Sequence, residues 1–86
     1  MGIEEVWAQI EDLQGQEFRQ KRGGRFSYKV VGGHVVPDRT NHQIPRSQFA
    51  KAFERWPVAG PGELQDLRGP SYLFAILSDH RIVTSR

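Results

Sequence analysis

Residues 18–36 read FRQKRGGRFSYKVVGGHVV, and the expected fold follows from this stretch. Apolar residues alternate along it with polar or basic ones, which is the period-two pattern of strands that bury one face. Glycine pairs at 23–24 and 32–33 interrupt the pattern, and glycine suits the tight turns between antiparallel strands because it tolerates positive φ. We therefore predict three antiparallel strands, over about residues 17–21, 25–31 and 34–37.

The register of the first hairpin follows from burial. A two-residue turn at residues 23–24 would place Phe18 opposite Lys29, on the solvent face. A three-residue loop over residues 22–24 instead pairs Phe18 with Tyr28, and both rings then face the core. We predict the second register, because a one-residue slip moves every side chain of a strand to the other face.

The second hairpin has a two-residue turn at residues 32–33, which pairs Val31 with His34 and Val30 with Val35. It pairs Tyr28 with Pro37 at the end of the third strand, where a missing N–H is tolerated. The predicted core face consists of Phe18, Phe26, Tyr28, Val30 and Val35. The opposite face carries Arg19, Lys21, Arg25, Ser27, Lys29, Val31, His34 and Val36.

Helical periodicity flanks these strands. Apolar residues at positions 3, 6, 7, 10 and 13 predict an amphipathic helix over about residues 3–14. After a polar loop at residues 38–42, proline and glycine divide the second half of the chain into three short helices. These are a helix that begins at Pro45 or Ser47 and ends at Pro57, one through Leu64 and Leu67, and one from Pro70 to about Asp79. For residues 82–84, an edge strand and a frayed end both remain open.

The predicted fold class is therefore α+β. It has one N-terminal helix, a three-stranded antiparallel meander, and three short helices packed on one sheet face. The 86 residues suffice for one small domain and are too few for two, so we expect a single domain over residues 1–86.

The net charge of +2 is unevenly distributed along the chain. Residues 1–16 carry four acidic side chains and no Lys or Arg, whereas residues 17–55 carry nine Lys or Arg against three Asp or Glu, an excess of +6. Residues 56–86 are balanced. The basic excess coincides with the predicted strands and is the only hint of a partner in the sequence.

The absence of cysteine excludes disulfides, thiolate metal sites and a cysteine nucleophile, and it favours a reducing compartment. No apolar run approaches the roughly 20 residues that span a bilayer. The first residues are acidic, whereas a secretory signal begins with basic residues. We expect a cytoplasmic protein without membrane contact.

The residue types of a hydrolase triad are present in Ser71, Asp79 and His80, but no nucleophile-elbow pattern surrounds Ser71. The three histidines, at positions 34, 42 and 80, do not have metal-ligand spacing. The glycine-rich segments lack phosphate-loop signatures. We therefore expect no enzyme, no metal and no cofactor.

The basic face is the strongest candidate for a functional site. Cations on one exposed sheet face are suited to contacts with the phosphate backbone of DNA or RNA. The candidate residues are Arg19, Lys21, Arg22, Arg25, Lys29, Arg39 and Arg46. No exposed aromatic residue is interleaved with them, and the interval of residues 56–63 is too long and too proline-rich for a helix-turn-helix.

Two other interpretations remain open. Charged residues on an exposed strand face often have no role beyond keeping that face soluble. A protein-interaction or regulatory module could instead dock through the exposed edge of the sheet, or through an apolar patch around Phe74 and Val36. DNA, RNA and an acidic protein all remain possible partners, and the oligomeric state stays open.

Overall fold

The computed structural model describes residues 2–82, over which the protein forms helices and two small antiparallel sheets. The α+β class predicted from the sequence is confirmed. In chain order the elements are α1 (Ile3–Asp12), β1 (Phe18–Arg19), β2 (Arg25–Phe26), β3 (Tyr28–Val31), β4 (His34–Pro37), β5 (Ile44–Pro45), α2 (Arg46–Glu54), a 3₁₀ helix (Pro61–Leu64) and α3 (Pro70–Leu77).

The predicted meander is divided between two sheets, because the extended segment 25–31 changes its partner at Ser27. Its first part, β2, pairs with β1, and its second part, β3, pairs with β4. At the changeover the Ser27 N–H donates to Asp38 Oδ1 at 3.1 Å, and the Asp38 N–H donates to the Ser27 carbonyl at 2.9 Å. The second sheet gains a third strand, β5, which the sequence did not predict because two residues are too few to show a period.

The predicted register of the first hairpin is wrong by two residues. Phe18 lies opposite Phe26, not Tyr28. The turn consists of residues 21–23, closed by a 2.7 Å hydrogen bond from the Gln20 N–H to the Gly24 carbonyl. Gly23, with φ +94°, takes the left-handed position that ends a three-residue hairpin loop. A shift of two residues leaves every side chain on the same face, so burial alone cannot distinguish the two registers.

The second hairpin is confirmed pair for pair. Val31 lies opposite His34 and Val30 opposite Val35, with Pro37 at the end of β4 opposite Tyr28. Both turn glycines have positive φ, +56° and +77°, as a type I′ turn requires.

An aromatic cluster forms the centre of the core. The ring of Tyr28, only 1% exposed, lies 5.2 Å from that of Phe18, and Phe18 lies 5.9 Å from Phe26. Phe26 in turn meets Tyr72 of α3 edge to face at 4.9 Å. The Tyr28 hydroxyl donates a 2.6 Å hydrogen bond to the Ile10 carbonyl of α1, and burial raises the pKa of this phenol. The predicted core positions are thus buried, with Val30 partly so.

The helices lie close to their predicted positions. α1 is two residues shorter than predicted at its C-terminal end, and the helix through Leu64 is a single 3₁₀ turn. α3 buries Leu73, Ile76 and Leu77 and is a central part of the core. Of residues 82–84, Ile82 is buried, whereas residues 83 and 84 lie outside the described residues.

Arg81 connects the segment after α3 to β1. Its guanidinium donates to the Glu17 carbonyl at 2.7 Å and to the Asp79 carboxylate at 2.8 Å. It also lies 4.3 Å from the centre of the Phe18 ring, a favourable cation–π geometry. The C-terminal part of the described chain therefore covers one side of the aromatic cluster.

Tyr28→Phe should lower the free energy of unfolding by about 1 kcal/mol, because it removes a buried hydrogen bond and keeps the ring. Tyr72→Phe is the matched control, since the Tyr72 hydroxyl makes no hydrogen bond within residues 2–82. We expect its urea unfolding curve to coincide with that of the wild type. Equal stability of the two variants would contradict the role given to the Tyr28 hydroxyl.

Candidate nucleic-acid interface

Two arginines face each other across the first hairpin. Arg19 of β1 lies directly opposite Arg25 of β2, and both side chains are exposed because their neighbours Phe18 and Phe26 take the core side. Along antiparallel strands, residue pairs joined by backbone hydrogen bonds alternate with pairs that are not. Gln20 and Gly24 are hydrogen-bonded, so the next pair, Arg19 and Arg25, is not, and in such pairs the side chains approach most closely. Like charges placed directly opposite one another are destabilising.

Arg39 joins this pair from the loop after β4. Its Nη1 donates to the Arg25 carbonyl at 3.3 Å, so a third guanidinium lies against the same strand. The hydrogen bonds between Ser27 and Asp38 hold the start of that loop beside the strand. We call Arg19, Arg25 and Arg39 the arginine cluster.

Two carboxylates border the arginine cluster and neutralise it only in part. Glu17 Oε2 lies 3.8 Å from Arg25 Nη1, with the side chains 66% and 61% exposed, and an ion pair this open to water contributes little. Asp38 accepts the Ser27 N–H and lies beside Arg25 around a shallow cavity. Arg19 makes no ion pair or hydrogen bond with the other described side chains.

Other arginines of the chain are neutralised much more closely. Arg55 makes two hydrogen bonds of 2.6 Å to the Asp66 carboxylate, and these lower the pKa of Asp66 to about 2. Arg81 likewise lowers the pKa of Asp79 by hydrogen bonding to it. Neither arginine belongs to the predicted set, so the tight ion pairs lie outside the candidate site.

The turn of the first hairpin adds two further cations. Lys21 Nζ donates to the Ala59 carbonyl at 3.4 Å and lies 5.8 Å from the centre of the Phe74 ring. Arg22 is exposed and makes no hydrogen bond or ion pair within the described chain. The Phe74 ring packs against that of Trp56 in a tilted arrangement with the centres 5.8 Å apart, so the structure places a partly exposed aromatic pair beside a basic residue of the turn.

The two remaining candidates differ in position. Lys29 is exposed and lies four residues beyond Arg25 on the same extended segment, about 13 Å along it. Arg46 does not join the others: it is the first residue of α2, and its guanidinium lies 5.9 Å from the Trp7 ring of α1. We use the name basic surface for the six residues other than Arg46, namely Arg19, Lys21, Arg22, Arg25, Lys29 and Arg39.

Ser71 does not join the other two residue types of a catalytic triad, although His80 Nδ1 lies 3.8 Å from Asp79 Oδ1. Ser71 lies in the first turn of α3 and Asp79 follows its last turn, about 12 Å away along the axis. The Asp79 carboxylate is bound to Arg81, and the Ser71 hydroxyl accepts from Gln20 Nε2 at 3.4 Å. Within the described part of the chain, no three histidine or carboxylate side chains gather as metal ligands would.

One edge of the second sheet, along β3, is covered. The Val30 N–H, on the free side of β3, donates to Gln14 Oε1 at 2.7 Å, and the Tyr28 carbonyl accepts from the Gly15 N–H at 3.0 Å. The turn after α1 therefore occupies this edge. The other edge of that sheet is β5, which has two residues, one of them a proline.

The two apolar residues suggested as one patch lie in different surroundings. Phe74 packs against Trp56 beneath Lys21, whereas Val36 lies opposite Lys29 on the second sheet and borders another cavity.

No family model, curated protein or solved structure matches this chain. Over residues 2–82, no helix is both long enough and apolar enough to cross a bilayer. The fold and the basic surface therefore carry the functional argument without support from relatives.

Arg19→Glu should raise the free energy of unfolding by about 0.5 kcal/mol, because it replaces a repulsive cross-strand pair with an attractive one. Arg22→Glu makes the same charge change in the turn, where no charged residue lies opposite, and we expect no gain from it. Chemical denaturation of both variants at low salt measures the difference. A loss of stability in Arg19→Glu would contradict the register and the repulsion inferred from it.

Proposed function

We propose that this protein is a non-catalytic module that binds the phosphate backbone of nucleic acid through the basic surface. The observation that carries the proposal is the arginine cluster, in which Arg19 and Arg25 directly oppose each other and Arg39 is bound to the same strand. An anionic group between opposed guanidinium groups relieves their repulsion, and guanidinium forms strong, often bidentate, hydrogen bonds with phosphate.

The distribution of ion pairs supports this interpretation over a surface that serves solubility alone. Where the chain neutralises an arginine, at Arg55 and Arg81, the carboxylate lies within 3 Å. Among the described residues, the shortest such ion pair of the basic surface is the 3.8 Å contact of Arg25 with Glu17. The cations of this surface are thus available to an external anion.

The expected mode of binding is electrostatic and insensitive to sequence. Sequence is read by side chains that reach base edges in a groove, usually from a helix. Here the cations come from short strands and turns, and 15 residues separate α2 from α3, too many for the turn of a helix-turn-helix.

Affinity for short duplex DNA should fall steeply with salt. Neutralising about four phosphates gives a log–log slope of about −3.6, hence a loss of about 100-fold between about 50 and 200 mM salt. Fluorescence anisotropy of a labelled duplex measures the slope. Absence of binding at low salt and micromolar protein would refute the proposal and leave the charged face as a solvated surface or a protein-docking surface.

A double charge-reversal variant tests whether nucleic acid binds at the basic surface. Arg25→Glu combined with Lys29→Glu should abolish binding in the same assay while the thermal melt changes little, because both side chains point away from the core. Arg68→Glu combined with Lys51→Glu makes an identical change in net charge outside the basic surface. This control should bind far more tightly than the first variant; equal losses would mean that only net charge matters.

A further inference from the structure

A cleft lies beside the basic surface, between the turn of the first hairpin and the helical layer. Its cavity of about 360 Å³ is lined on one side by Gln20, Lys21 and Arg22, and on the other by Gln65, Ser71 and two prolines. The hydrogen bond between Gln20 Nε2 and the Ser71 hydroxyl joins the two sides. This volume is at the lower end of the range for small-molecule pockets, about 300–1,000 Å³, and suits a group of nucleotide size.

The lining supplies groups that match the phosphate and the base of a nucleotide. Lys21 and Arg22 provide positive charge for a phosphate, and no carboxylate is among the lining residues that the structure describes. The side-chain amide of Gln65 makes no hydrogen bond within residues 2–82, so it is available to a base edge, which glutamine recognises through paired donor and acceptor groups. Pro61 and Pro70 provide apolar surface for a base.

The cleft is continuous with the basic surface along the chain. Lys21 and Arg22 belong to both, and Arg19 precedes them on β1. A backbone bound to the arginine cluster would therefore pass the mouth of the cleft. A base inside a duplex is stacked and paired and cannot enter such a cleft, whereas a base of a single strand can turn out of the stack.

We propose that the cleft holds one unpaired nucleotide of a single-stranded nucleic acid whose backbone lies on the basic surface. This inference rests on the proposed backbone binding and adds a substrate class, single strands in preference to duplex. Lys21 lines the cleft and also lies over Phe74, which packs against Trp56. Occupancy of the cleft should therefore also change the fluorescence of Trp56.

A variant that is neutral in charge separates the cleft from the electrostatic surface. Gln65→Leu removes the amide of an exposed side chain and leaves the charge unchanged. It should weaken binding of a short single strand by about fivefold or more, with the salt slope and duplex binding unchanged. Gln43→Leu, also at an exposed glutamine, is the control and should bind like the wild type. DNA and RNA strands of one sequence are both tested, and the loss is expected on whichever binds more tightly.

The outcomes distinguish the two proposals. If the wild type binds neither single strands nor duplex at low salt, the proposed function itself fails. If it binds single strands no more tightly than duplex, or Gln65→Leu binds single strands as the wild type does, backbone binding stands and the cleft inference is refuted. Adenosine monophosphate gives a direct readout, since it should shift the side-chain amide signals of Gln65 in NMR spectra and leave those of Gln43 in place.

Discussion

The hydrogen bond from the Tyr28 hydroxyl to the Ile10 carbonyl fixes the relation between α1 and the strands. A buried phenol needs a hydrogen-bond acceptor, and the Ile10 carbonyl in the last turn of α1, which also accepts a long 3.3 Å hydrogen bond from the Leu13 N–H, has the capacity for one. With Tyr28 held inward, its ring packs on Phe18, and the alternation of the strand turns Arg25 and Lys29 outward. The outward direction of Arg25 and Lys29 in the basic surface thus follows from the burial of Tyr28 in the core.

The aromatic cluster also explains why the small sheet of β1 and β2 is stable. An isolated pair of two-residue strands is not stable in water. Here β1 and β2 contribute Phe18 and Phe26 to one cluster, α3 contributes Tyr72, and Arg81 lies over the Phe18 ring. Packing against helices supplies the stability that two ladder pairs cannot.

The sequence predicted the fold class and the faces of the strands because side-chain alternation and glycine turns are local signals. It predicted the second hairpin fully, since two adjacent glycines with positive φ leave one register for a type I′ turn. The first hairpin has Gly23 at the end of a three-residue loop and Gly24 directly after it, and alternation fixes its register only to within two residues. The strand β5 gave no periodic signal.

The same limit applies to the candidate site. Exposure of Arg19 and Arg25 follows from alternation, but their direct opposition depends on the register and became visible only in the structure. The contacts of Arg39 with β2 and of Lys21 with Phe74 join distant parts of the chain and leave no trace in local sequence. Arg46 shows the converse, since its charge suggested a role on the sheet face and the fold places it against Trp7.

The central claim is that the arginine cluster and its neighbouring turn form one binding surface. The most direct test of this claim is a titration of isotope-labelled protein with a short single-stranded oligonucleotide at low salt, monitored by two-dimensional NMR. The account predicts that amide signals of Arg19, Arg22, Arg25 and Arg39 move together with a single saturation curve, while that of Lys51 on α2 stays in place. Shifts confined to α2, or spread evenly over all exposed cations, would contradict it.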